Sequence, residues 1–364
     1  MTAAPTIRFA RDPHPAPIPV DERAAMLVDP GFGRVFTDHM VVARYREGEG
    51  WYDARVTARV PFQLDPACAV LHYAQEIFEG MKAYRTAAGG AALFRPEANA
   101  ARFRTSAARM AMADVPEELF LDAVAALVEV DRDWIPDGEG GSLYLRPFMF
   151  ASETFLGVRP AHEYVFAVIA SSVGAYFKAG AGAISLWVTE DYSRAARGGT
   201  GAAKCGGNYA GSLVAQAEAI AHDCDQVVFL DAAEGKWVEE LGGMNIFFVL
   251  DDGSLVTPPL GTILPGITRD SLITLARGRG LTVREQPYSL ADWRADAASG
   301  RLVEAFACGT AAVVTPIGQV KSASGDFTIG SGGPGQLSGS LKEQLVAIQR
   351  GQAPDPHDWV KPLF

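Results

Sequence analysis

With 364 residues, 48% of them hydrophobic and 21% charged, the chain has the composition of a soluble globular protein and the length of two domains. Its formal net charge of −11, with no basic cluster, argues against a nucleic-acid partner, which needs a concentrated positive face. Four cysteines (Cys68, Cys205, Cys224, Cys308) and six scattered histidines form no CxxC, HxxxH or HxH pair, so neither a disulfide framework nor a metal site is expected. The N-terminal stretch MTAAPTIRFARDPHPAP lacks the apolar core of a signal peptide, and no run approaches about eighteen apolar residues. The expectation is a cytoplasmic chain with no membrane span.

In chain order, the first thirty-odd residues are Pro-rich and aperiodic and read as a surface arm. Strands are expected at 40–45 and 55–60, a helix over 70–78, and a strand at 81–85. Pro96-Glu97 opens a helix that runs Ala-rich to Met112, and an amphipathic helix follows from Leu119 to Trp134. Strands recur at 142–149 and 163–171. The Gly/Ala-rich stretch 172–182 breaks both periodicities and reads as a domain boundary or as a loop over a pocket. Beyond it come a strand at 184–189 and a helix at 209–222 with apolar Leu213, Val214, Ala217, Ile220 and Ala221. A buried strand at 227–230 precedes a hairpin from 245–250 through Asp251-Asp252-Gly253 into Leu255-Val256. A helix near 268–277, a strand at 303–308 and a Gly-rich loop at 330–335 complete the pattern. Strands and helices mix in both halves, which gives two α/β or α+β domains with a cleft as the default ligand site.

Three local features carry chemistry. Lysine is scarce, and Lys204 differs from the other six in standing among small residues, in Gly198-Gly-Thr-Gly-Ala-Ala-Lys-Cys-Gly-Gly-Asn-Tyr209. A lysine that links covalently to a carbonyl cofactor needs a neutral amine and room for a flat ring, which burial and tiny neighbours supply. The same glycines equally well make a turn before a helix. Glu240, in Val238-Glu-Glu-Leu-Gly-Gly-Met-Asn245, is followed by uncharged residues and an apolar run, so it reads as an inward-facing acid. An acid facing a pyridine nitrogen keeps it protonated, although such a glutamate is more often a surface charge. In Gly261-Thr-Ile-Leu-Pro-Gly-Ile-Thr-Arg-Asp270, Thr268 reads as an N-cap of a helix whose N–H groups suit a phosphate, or of an ordinary capped helix. Arg102 would add fixed positive charge, and Cys308-Gly-Thr-Ala-Ala312 is a further small-residue turn.

Taken with Leu71-His-Tyr-Ala-Gln-Glu-Ile-Phe-Glu-Gly-Met-Lys-Ala-Tyr-Arg85 and Ser142-Leu-Tyr-Leu-Arg-Pro147, these motifs fall in one family's order. From about Phe36 to Trp359 the chain resembles the branched-chain amino-acid aminotransferases, which are fold-type-IV pyridoxal-phosphate enzymes. The resemblance implies a two-domain α/β (α+β) architecture with the active site in the interdomain cleft. The expected divisions are 1–172, a loop at 173–183, and 184–364. The implied reaction is ping-pong transamination of L-leucine, L-isoleucine and L-valine with 2-oxoglutarate, using pyridoxal 5'-phosphate, in a homodimer or higher homo-oligomer. Lys204 would carry the cofactor and shuttle the proton, Glu240 would face the ring nitrogen, and Tyr209 would meet the ring's phenolic oxygen. Arg102, Ile267, Thr268 and Thr310 would hold the phosphate. Tyr73, Phe78 and Tyr144 would line the side-chain pocket, with Arg146 accommodating the acidic second substrate and the backbone at Ala311 and Ala312 meeting the substrate carboxylate. A loop with Tyr176 would close the cleft, and Leu156 and Val158 would reach a neighbouring subunit. Two departures stand out: Gly243 where some members have threonine, and Ala312-Val-Val-Thr315 where the mammalian enzymes carry a CxxC redox switch. Both resemble the bacterial form. D-amino-acid aminotransferases and aminodeoxychorismate lyases share the fold, and a non-catalytic binding module is the alternative from another class.

Overall fold

The structure is a computed structural model that describes residues 9–86, 89–138, 140–174 and 182–364. The chain forms two compact units, Met1–Tyr176 with Gln349–Phe364, and Phe177–Ile348. Among the described residues no helix is long and apolar enough to cross a membrane.

The first unit is built on a sheet that runs Ala10–Asp12, Gly50–Ala58, His39–Arg46, Glu163–Val173, Ser142–Ala151, Met81–Arg85, Ala91–Phe94 and Val360–Pro362. Its long central strands pair antiparallel, with Tyr144 opposite Ser171 and Arg146 opposite Ile169. Side chains alternate across such strands. Thus Val165 and Ala167 pack with Met40, Val42 and Phe150, while Phe166 turns the other way. There it meets Phe103 at 5.6 Å and Phe120 at 6.0 Å, on the helices Pro96–Arg109 and Glu117–Val130. The described part of the N-terminal arm is tied to this unit by hydrogen bonds. Ile18 N–H donates to Asp38 Oδ1 at 3.0 Å, and His14 N–H donates to His39 Nε2 at 2.9 Å. His39 Nδ1 in turn lies 2.6 Å from Asp131 Oδ1.

Two expectations change here. The helix expected over 70–78 stops at Tyr73, because Ala74 takes a left-handed conformation (φ 49°), and Glu76–Phe78 continues as a strand beside Ser142–Ala151. The C-terminal segment, expected in the second domain, returns to the first: Val360–Pro362 pairs with Ala91–Phe94 at the sheet's edge.

The second unit holds a mixed sheet in the order Val238–Leu241, Gln226–Leu230, Ile184–Val188, Val313–Ser322, Leu302–Gly309, Asn245–Leu250, Leu255–Thr257 and Val283–Glu285. Ile184–Val188 runs parallel to both neighbours, with Ile184, Leu186 and Val188 buried on one face and Ser185 and Trp187 partly buried on the other. One face packs Val228, Leu230, Ile246 and Phe248 around the fully buried Trp293 of helix Leu290–Ser299. Ser289 caps that helix by accepting from the Asp292 N–H. The other face packs Val227 and Phe229 against Ala215 and Ala219 of helix Leu213–Ala221.

The apolar residues noted in this last helix face outward. Leu213, Val214 and Ile220 are 65%, 48% and 65% exposed, while Ala215 and Ala219 face the sheet. The helix expected over 209–222 is also two pieces, Gly206–Ala210 and Leu213–Ala221.

Candidate functional site

The second unit brings Lys204, Tyr209, Glu240 and the start of helix Ile267–Gly278 onto one connected framework. The loop before Lys204 is held by Asn208, whose side-chain amide donates to Thr200 O at 2.9 Å and Ala203 O at 2.8 Å. Thr200 Oγ1 donates back to Asn208 Oδ1 at 2.6 Å. The backbone is pressed close here: a Cβ on Gly201 would collide with the Thr262 carbonyl oxygen. The small residues therefore do more than make a turn. They let two backbone segments touch and leave Lys204 half-buried, with Nζ donating to the Tyr209 hydroxyl at 2.9 Å.

Glu239 and Glu240 lie next to each other on the strand Val238–Leu241 and so face opposite ways. Glu239 accepts from Thr262 Oγ1. Glu240 is 3% exposed, and its carboxylate accepts from the Leu264 N–H at 3.1 Å and from Asn245 Nδ2 at 3.3 Å, and pairs with Arg194. Burial pushes the Glu240 carboxyl up to about 7, against the opposing charges of Arg194 and Lys204 and the Leu264 hydrogen bond. Asn245 also donates to Leu264 O at 3.1 Å, which fixes the loop leading to the next helix. Arg194 was absent from the sequence-derived set. It precedes the glycine-rich loop, and its partner lies far along the chain, so no local pattern marks it.

Helix Ile267–Gly278 has Gly266 as its N-cap, with no capping side chain. Thr268, expected as the cap, is instead inside the first turn and buried. A Cβ at Gly266 would collide with Asn245 Oδ1, so the cap position admits only glycine without movement. Lacking a side-chain cap, the first-turn N–H groups of Ile267 and Thr268 suit an anion, and the helix dipole adds to this. Thr310, Ala311 and Ala312 form the loop of the hairpin in which Gly309 pairs with Val313. Val313 closes it at φ 62°, a left-handed conformation that costs a β-branched residue energy and that clusters at functional sites. A Cβ on Gly309 would lie 3.7 Å from Gly243 O, and one on Gly243 would lie 3.6 Å from Tyr209 Cε1. The hairpin, Gly243 and Tyr209 are thus neighbours. Together these groups offer an amine, a buried acid and an anion-binding helix start, the set a phosphorylated pyridine aldehyde requires. The fit rests on the uncapped helix and on Glu240.

In the first unit, Tyr144, Arg146 and Phe148 share one face of their strand. Arg146 Nη2 donates to the Tyr144 hydroxyl at 3.1 Å, and its guanidinium lies over the Phe78 ring at 4.7 Å. Phe32, which the arm reading overlooked, packs edge-on against Tyr144 at 5.1 Å. The Tyr73 hydroxyl donates to Leu156 O, and Leu156 and Val158 are exposed. Arg102 is buried in a two-pronged pair with Glu79, Nε to Oε1 at 2.7 Å and Nη2 to Oε2 at 2.8 Å. Tyr176 lies outside the described residues.

A family model described as amino-transferase class IV matches residues 76–320. A probable branched-chain-amino-acid aminotransferase of Streptomyces coelicolor is 54% identical over 99% of both chains. The branched-chain-amino-acid aminotransferase of Mycobacterium tuberculosis is 53% identical over 94% of both. Among solved structures, the T.th. branched-chain amino acid aminotransferase with pyridoxamine 5'-phosphate superposes with a TM-score of 0.73. It is 28% identical, covering 88% of this chain and 98% of that one.

Proposed function

The chain belongs to the class IV aminotransferases, and from that premise we propose that it transfers amino groups between branched-chain L-amino acids and 2-oxoglutarate with pyridoxal 5'-phosphate. The observation that carries the proposal is the hydrogen bond from Lys204 to Tyr209, on one framework with the buried Glu240. When bound, pyridoxal phosphate supplies an aldehyde for an amine and a protonated ring that draws electrons from the substrate Cα.

The chain's own residues do the rest. Lys204 would hold the group through its amine and, with that amine free, would be the base that holds and moves the Cα proton. Glu240 would face the ring nitrogen and keep it protonated. Tyr209 orients Lys204 and, beside Gly243, would meet the ring oxygen. The Ile267 and Thr268 N–H groups hold the phosphate, with Thr310 and Arg102 assigned to the same group. Tyr73, Phe78 and Tyr144 enclose an aliphatic side chain, and Arg146 accepts the acidic one, a division supported by the Arg146–Tyr144–Phe78 cluster. The backbone at Ala311 and Ala312 receives the substrate carboxylate.

The working form is a homodimer to which each copy lends Leu156 and Val158. The outward apolar face of Leu213, Val214 and Ile220 supports self-association, since monomers seldom expose such a stripe. Four free, buried cysteines support a reducing, cytoplasmic setting. The test is activity with 2-oxoglutarate on L-leucine against D-alanine. The proposal expects turnover of the L-acid, and preference for the D-acid contradicts it.

A further inference from the structure

Arg194 lies in the segment before the glycine-rich loop, and its side chain is 5% exposed. One terminal nitrogen, Nη2, faces three oxygens: Gly201 O at 2.9 Å, Thr262 O at 3.1 Å and Glu240 Oε1, with which it pairs. Each belongs to a different part of the site. Gly201 is on the loop that carries Lys204, Thr262 leads to the helix at Ile267, and Glu240 is the buried acid. Nη2 thus donates to two backbone oxygens while it pairs with the acid, and the buried Nε has no hydrogen-bond partner among the described residues.

We propose that Arg194 is a positioning residue that favours the charged form of the Glu240 carboxylate against its burial and holds the lysine loop, the acid strand and the phosphate-helix loop in register. The inference rests on the transaminase reading, which requires a charged acid at Glu240. A buried carboxylate without a counter-charge neutralises itself by taking up a proton. The charged or titratable groups near Glu240 are Arg194, Lys204, Glu239 and Cys308. Glu239 repels it, and the Cys308 thiol is pushed up to about 12 by burial and adds no positive charge. Lys204 changes its charge in the reaction assigned to it. Arg194 is therefore the one permanent positive charge of this set, since a guanidinium stays protonated at any working pH. An ammonium on a shorter stem would bring the charge without the planar fork, so lysine at this position is expected to restore part of the effect.

The test uses the full chain without cofactor, labelled with 13C at the glutamate carboxyl carbons, with the Glu240 signal identified by its absence in E240Q. In R194M the midpoint of that signal's titration is expected to rise by about one unit or more, a tenfold change in proton affinity, with R194K in between. Pyridoxal phosphate affinity, followed by fluorescence quenching, is expected to fall about tenfold or more in R194M and in E240Q. The double variant should bind no more weakly than R194M alone, because the two residues act as one unit. An unchanged titration in R194M, or additive losses of affinity, overturns the inference. Should R194M fail to fold, R194K decides on the same readings: a raised midpoint supports the proposal, and an unchanged one overturns it. A wild-type chain that does not bind pyridoxal phosphate overturns the transaminase reading, while the titration still decides the Arg194–Glu240 pairing.

Discussion

Lys204 Nζ donates to the Tyr209 hydroxyl at 2.9 Å, across the turn into the short helix Gly206–Ala210. Spacing and turn together set this distance, since Asn208 ties the loop on both sides of the lysine. Y209F removes the acceptor and leaves the ring's bulk. The expected result is a fall in kcat of about ten- to a hundredfold, the worth of one hydrogen bond to a charged group, with KM for leucine little changed. Steady-state kinetics check it, and an unchanged kcat would remove Tyr209 from the site.

Gly201 sits where a side chain cannot. The obstacle to a Cβ is the backbone oxygen of Thr262, which cannot swing away as a flexible side chain would. G201A should therefore destabilise the chain by about 1–3 kcal/mol and weaken cofactor retention with it. Urea denaturation measures the first effect and gel filtration of the loaded protein the second. Stability equal to the wild type's would mean that the two segments part easily.

Glu240 makes stability depend on pH. Its folded carboxyl is raised from 4.5 to about 7, chiefly by burial. Between those values the folded chain holds a proton that the unfolded chain has released. This group's contribution therefore favours the folded state at low pH and is lost as pH rises from about 4.5 through 7. The cofactor-free wild type should lose stability relative to E240Q across that window. A constant difference in Tm between the two, from pH 5 to pH 8, would contradict a raised Glu240.

What the sequence made legible follows from how local each signal is. The Lys204 loop, the Glu240 strand and the helix at Ile267 are each marked by neighbours in the chain, such as glycines, an apolar run or a proline before a turn. Arg194 and Asn245 act on Glu240 through space, and nothing adjacent to Arg194 reports that it meets Gly201, Thr262 and Glu240 at once. Thr268 reads as a cap because threonine usually caps, whereas Gly266 holds that position under the Asn245 side chain. The helix expected over 70–78 failed at Ala74, where a left-handed residue that alanine rarely adopts ends the helix. The strand at Val360–Pro362 joins the first unit by pairing with residues far back in sequence, a contact no periodicity encodes.

The outward stripe of helix Leu213–Ala221 shows the limit of amphipathicity as a guide. Periodicity identified an apolar face without saying whether it packs within the chain or against another molecule. Ala215 and Ala219 take the inner position, and Leu213 and Ile220 are left outside. L213E/I220E should leave the fold intact and shift the chain toward monomer in sedimentation velocity. An unchanged sedimentation coefficient would place the subunit interface elsewhere.

The most direct test of the central claim is the visible absorption of the wild type and of K204A, each given pyridoxal phosphate and then L-leucine. The account predicts that the wild type shows the band of a lysine-linked cofactor, that leucine bleaches it, and that K204A shows neither. A wild type without such a band, or a K204A that matches it, would contradict the assignment of Lys204 and the transaminase reading built upon it.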